Sequence, residues 1–232
     1  MLRRSIIWIA VVFLAISGMV YAGSQQTSST PASTIIINAR YYLNEPTEVF
    51  WSDDELLVWL NKGTLDIATR TKCLESWESV SLAADTVEYT LSDSYIAITD
   101  VVYSDASDAL KGLIKSNPSS VGHESAVGEP SYWYSAGNKL GIFPSLAAID
   151  GTTAETVRAY YVTRPTDVTS GQNVLVPAHY DHALTLYIAA RAWYKDGQFA
   201  KGNRLMAEYY EELDRFRLDY NEQIKQAKES VK

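Results

Sequence analysis

The chain has 232 residues, with 20 Lys and Arg against 28 Asp and Glu, a net charge of −8. An acidic chain of this kind does not attract polyphosphate as a whole, and no basic cluster reverses that balance, so no direct nucleic-acid ligand is expected. Hydrophobic residues make up 47% of it, enough for a substantial core, and Cys73, the one cysteine, rules out an intramolecular disulfide.

The first 22 residues have the three parts of an export signal. Arg3 and Arg4 form a basic start, residues 6–16 an apolar core, and Val20-Tyr21-Ala22 a small-x-small cleavage site, which predicts a cut between Ala22 and Gly23. A retained membrane anchor is the alternative, because residues 6–22 offer about 17 positions where a spanning helix takes about 20. Processing would remove Arg3 and Arg4, leaving 18 basic against 28 acidic residues and a net charge of −10. Membrane contact is expected only through an uncleaved N-terminus, and a processed product would be periplasmic or secreted.

Residues 23–34 are polar and low in complexity, which predicts a flexible leader. Order is expected from Ile35-Ile36-Ile37, either as an edge strand or as the lead-in to a helix. From there to residue 232 the pattern reads as one α+β domain. Residues 52–71 form a helix: Ser52 and Glu55 make a capping box, Asp53 and Asp54 face the positive end of the dipole, and Leu56, Leu60, Gly63 and Ile67 share a face. Capping explains these carboxylates better than an acid/base cluster, for which no partner is evident. Cys73 reads as a buried apolar filler or as a residue pairing between subunits.

A β-rich insertion follows over about 77–165. Short runs of β-branched and aromatic residues at 79–82, 87–91, 96–98, 131–135, 139–143 and 156–163 predict strands of an antiparallel sheet. The segments at 131–135 and 139–143 form the clearest hairpin, with Gly137 and Asn138 at its turn. Residues 104–129 read as a loop with one helical turn at 109–114. Two C-terminal helices close the domain over about 179–228. The first, to about 195, is apolar almost all round; after a break bracketed by Gly197 and Gly202, the second carries Leu205, Tyr209, Leu213, Phe216, Tyr220, Ile224 and Ala227 on one stripe. Its charged remainder is balanced, with Glu211 and Arg215 at i,i+4 spacing.

No nucleophile elbow, zinc-protease motif, phosphate-binding loop or dinucleotide fingerprint is present, so no enzyme activity, cofactor or metal is expected. His179 and His182, at i,i+3 spacing, could offer two metal ligands but lack an obvious third. Tyr132, Trp133, Tyr134, Tyr160 and Tyr161 could stack on sugar rings, giving an alternative reading as an exported glycan-binding or cell-surface module. Strand alternation sends neighbours such as Tyr132 and Trp133 to opposite faces and assigns much of this set to packing.

The order of features carries more information than any single motif. Residues 51–63 read W-S-D-D-E-L-L-V-W-L-N-K-G; Gly128, Pro130, Tyr132 and Pro144 punctuate the hairpin; Tyr161 and Pro165 close the next strand; Pro177 and Tyr180 open the apolar helix. Over about residues 39–220 this succession resembles the head-to-tail adaptor (connector) proteins of tailed bacteriophages. The resemblance implies a non-catalytic structural protein found in the virion or the host cytoplasm. It also implies a ring of copies, typically twelve, between portal and tail. The portal would be reached by the C-terminal region, where Arg215, Arg217, Tyr220, Lys225 and Lys228 are the expected contacts.

Overall fold

The computed structural model describes residues 28–91, 94–105, 109–117, 119, 126–146 and 155–230, with side chains through Arg217. The apolar N-terminal segment, the Ala22–Gly23 cleavage site and the first part of the polar leader lie outside the described residues. The fold is α+β, with four α-helices and two sheets among the described residues.

Helix α1 (Ala32–Leu43) resolves the ambiguity of the isoleucine run. Ala32, Ile35, Ile36, Ala39, Arg40 and Leu43 are its buried residues, a helical period that outweighs the strand preference of three β-branched side chains. The expectation of a flexible leader through residue 34 is corrected from Ser28 onward. Ser28 N–H donates to Val176 O at 3.0 Å, Val174 N–H to Thr30 O at 3.1 Å, and Ala32 N–H to Gln172 O at 2.9 Å. The Thr30 hydroxyl donates to Asp181 Oδ2 at 2.6 Å and Ser28 Oγ to the same oxygen at 3.2 Å. Small polar residues with nothing to pack can still be pinned by such bonds, which composition does not reveal.

Helix α2 (Asp53–Thr71) begins as expected: Ser52 Oγ accepts from Glu55 N–H at 3.2 Å. The reciprocal half of the capping box is replaced, because the Glu55 carboxylate takes the Lys195 ammonium at 2.6 and 2.7 Å. Leu56, Leu60, Gly63 and Ile67 are buried together.

The β portion comprises β1 (Glu75–Ser81), β2 (Glu88–Thr90), β3 (Tyr95–Ser104), β4 (Leu110–Gly112), β5 (Ile114–Lys115), β6 (Tyr132–Ala136), β7 (Lys139–Phe143) and β8 (Thr156–Thr163). They make two four-stranded sheets, ordered β1-β8-β3-β4 and β2-β7-β6-β5, rather than one, and β5 runs parallel to β6. Val101, Tyr103, Val157, Ala159 and Tyr161 from the first share one buried cluster with Trp133, Leu140 and Ile142 from the second. The 109–114 turn of helix is also corrected. Val102 pairs with Gly112, Leu113 N–H donates to Val101 O at 2.9 Å, and the Leu113 side chain is buried, so strand pairing prevails over the local helical pattern. The β6–β7 hairpin turns at Gly137 and Asn138 as expected, with Ala136 paired to Lys139 and Gly137 at φ +62°.

A 3₁₀ turn (Ala178–Tyr180) leads into α3 (Asp181–Lys195), and α4 (Phe199–Ser230) follows after Gly197. Ala183, Leu184, Leu186, Ile188, Ala189, Ala190 and Ala192 bury α3 among the other helices. Gly202 is not a break but lies inside α4. A Cβ there would sit 2.5 Å from the Tyr194 ring and 3.1 Å from Ala190 O, so its absence is what lets α4 lie against α3. Gly63 does the same on α2, where a Cβ would meet the Tyr187 ring at 2.9 Å.

Candidate assembly surface

The helical body is locked by a polar cluster among its apolar contacts. Tyr209 is fully buried on α4, and its hydroxyl donates to Asp66 Oδ2 on α2 at 2.7 Å. Arg70 Nε donates to the same oxygen at 2.8 Å, and its guanidinium lies 4.9 Å from the Tyr210 ring centroid. Burial first, and then the hydrogen bond to Asp66, push the Tyr209 phenol well above the usual tyrosine range. Tyr187 on α3 packs edge-on against Tyr209 with ring centroids 5.3 Å apart, completing a junction of three helices.

At the turn between α1 and α2 the chain is held by a buried ion pair. Arg40 is 3% exposed; its guanidinium donates to Glu45 Oε1 at 3.3 Å, to Trp51 O at 2.8 Å and to Asp53 Oδ1 at 2.5 Å. Glu45 Oε1 also accepts the backbone N–H groups of Val49, Phe50 and Trp51 at 2.8, 2.8 and 3.2 Å. Burial alone would raise the Glu45 carboxyl, but these three donors and Arg40 outweigh it and hold it below the usual glutamate value. The loop is thus fixed from beneath while Val49 is 82% and Phe50 59% exposed. Phe50, Trp51 and Trp193 form a chain of edge-on rings from the loop into the core, 4.8 and 5.8 Å between centroids. A rigid loop that presents apolar side chains to solvent is suited to docking, since little ordering entropy remains to be lost.

The residues expected to carry other chemistry do not converge. His179 packs against Tyr180 and Phe216, with centroids 4.1 and 4.8 Å away, whereas His182 lies against Tyr42 at 6.4 Å. Burial lowers the His179 pKa. Among the described residues no group of three His, Cys, Asp or Glu could hold a metal ion. Asp53 is engaged by Arg40, as the capping explanation of the acidic triplet allows. Of the aromatic set proposed for sugar stacking, Trp133, Tyr134 and Tyr161 are buried, so the larger part of it packs the β sandwich and only Tyr132 and Tyr160 face outward. Cys73 is buried too, and burial pushes its thiol up to about 11, which makes it the apolar filler of the two readings.

On α4, Arg215 donates to Glu212 Oε2 at 2.5 Å, in place of the expected partner Glu211, and its guanidinium lies 4.9 Å from the Phe216 ring centroid. Arg217 pairs with Asp214 at 3.5 Å. Both are exposed near the point where Phe216 makes the helix's contact with His179 and Tyr180. The side chains of Tyr220, Lys225 and Lys228 lie outside the described residues, although the helical backbone runs through all three. Sequence reasoning missed the α1–α2 loop. Its signal was the pair Val49-Phe50 flanked by Glu45, Glu48 and Asp53.

No helix among the described residues is long and apolar enough to cross a membrane. A search of curated proteins finds no match. The profile of the SU10 adaptor protein family matches residues 30–230, which takes in both the helical body and the β sandwich. The chain belongs to the SU10 adaptor protein family of phage adaptors, a structural family of the virion.

Proposed function

We propose that the chain is a non-catalytic ring subunit that sits between the portal and the tail of a phage particle. The observation that carries this reading is the family match over residues 30–230. The architecture agrees with it: an interlocked helical body suits side-by-side packing, and the β sandwich is a separate folding core available for contacts with other proteins. In this reading the C-terminal part of α4 reaches the portal, with Arg215, Arg217, Tyr220, Lys225 and Lys228 as its contacting side chains. Twelve copies form the ring. Residues 1–22 are either removed between Ala22 and Gly23 or retained, and a protein assembling in the host cytoplasm would retain them.

Sedimentation of the full-length chain with portal rings of the same phage tests the proposal. Co-sedimentation is expected, together with its loss when α4 is truncated after Arg215. Failure of the intact chain to bind portal under any salt condition would contradict the reading.

A further inference from the structure

We propose that neighbouring copies of this chain meet through the Val49–Phe50 loop of one copy and a basic, aromatic face formed by α2, α3 and α4 of the next. This rests on the ring reading above and names the surfaces that would build it.

The two surfaces have opposite charge. Beside Val49 and Phe50 stand Glu48 and Asp54, both exposed, and no described residue pairs with either. Nearby cations are already engaged: Arg40 by Glu45 and Asp53, Lys195 by Glu55, and Lys201 over the Trp193 ring at 4.0 Å. The loop is therefore an acidic-rimmed apolar knob.

The other face lies along α2, where Val58, Lys62, Asp66 and Arg70 recur every four residues on one stripe. Val58 is exposed there, Tyr210 is exposed beside Arg70, and Arg191 lies 5.9 Å from the Tyr187 ring that covers Gly63. Lys62, Arg70 and Arg191 stand against Asp66 and, one turn before Val58, Asp54, a local excess of one positive charge in a chain of −8. Asp66 is occupied by Arg70 and Tyr209, whereas no described acid pairs with Lys62 or Arg191. Tyr, Arg and apolar side chains around a basic rim have the composition of an energetic centre of an interface, and the acidic knob is its complement. A knob at the start of α2 and a face farther along it, with Arg191 of α3 and Tyr210 of α4, permit a head-to-tail contact in which each copy gives and receives. Such contacts close into rings where the rotation allows.

The test uses three full-length chains over a concentration series, with oligomeric state read by light scattering and native mass spectrometry. They are the wild type, Glu48→Lys with Asp54→Lys, and Lys62→Glu with Arg191→Glu. All four positions are exposed and lie outside the Tyr209–Asp66 junction and the Arg40–Glu45 pair. Each double variant alone is expected to weaken self-association by at least about tenfold, as like charges then face each other. An equal mixture of the two is expected to recover it, because the reversed knob then meets the reversed face. Wild-type assembly that neither variant disturbs would overturn this assignment of surfaces while leaving the ring reading intact. A wild type that stays monomeric throughout would overturn both.

Discussion

The Tyr209 phenol and the Arg70 guanidinium converge on one oxygen, Asp66 Oδ2, at 2.7 and 2.8 Å. Three helices meet there: α2 supplies the carboxylate and the arginine, α4 the buried phenol, and α3 the Tyr187 ring packed on it. Replacing Tyr209 by Phe keeps the shape of the ring and removes only the bond to a charged acceptor. A loss of about 1.5–3 kcal/mol in urea unfolding is expected, the range for hydrogen bonds to ionised groups. A change below about 0.5 kcal/mol would show that the bond is not formed in solution.

The same phenol sets the alkaline behaviour. Its pKa is raised in the fold by burial and by Asp66, so its contribution is complete below the ordinary tyrosine value near 10 and declines as pH rises beyond it. Tyr103, raised by burial and by its bond to Glu155, acts in the same direction. Stability is therefore expected to fall above about pH 10, and Tyr209→Phe to make that decline shallower. Thermal melts across pH 8–11.5 provide the comparison.

Acid acts through Glu45. Its pKa is lowered in the fold, so its contribution is present above the ordinary glutamate value and is lost as pH falls through and below it. Glu45→Gln is expected to flatten the acid limb of a stability profile below about pH 4.5. Arg40→Met leaves the Glu45 carboxylate buried without its cation, and a cost of about 3–5 kcal/mol at neutral pH is expected from chemical denaturation.

Gly202→Ala places a methyl group against Tyr194 and the Ala190 carbonyl. Destabilisation of about 1–3 kcal/mol is expected, the usual cost of overpacking, with the α3–α4 contact loosened. Hydrogen exchange in residues 186–206 would report the loosening locally.

Cys73 should resist a thiol reagent in the native protein and react on unfolding, because its thiol is buried and its pKa is pushed up to about 11. Rapid labelling of the native chain would contradict its placement in the core.

Legibility in the sequence followed the range of the interactions. The capped start of α2, the apolar all-round α3 and the β6–β7 hairpin are determined within a few residues and could be read directly. What escaped was determined at a distance. The order of residues 28–33 depends on segments 170–176 and on Asp181, the strand character of residues 110–115 on Val101, Val102 and β6, and the role of Gly202 on Tyr194. Arg40 shows the limit most clearly. Nothing local in the sequence marks this arginine as buried, yet its guanidinium pairs with Glu45, whose carboxylate takes the Val49 and Phe50 N–H groups.

Quantitative mass spectrometry of purified virions tests directly whether this chain is a structural component of a phage particle. The chain is expected in the particle in the same copy number as the portal protein. Absence from virions, with recovery instead as a periplasmic product beginning at Gly23, would contradict it.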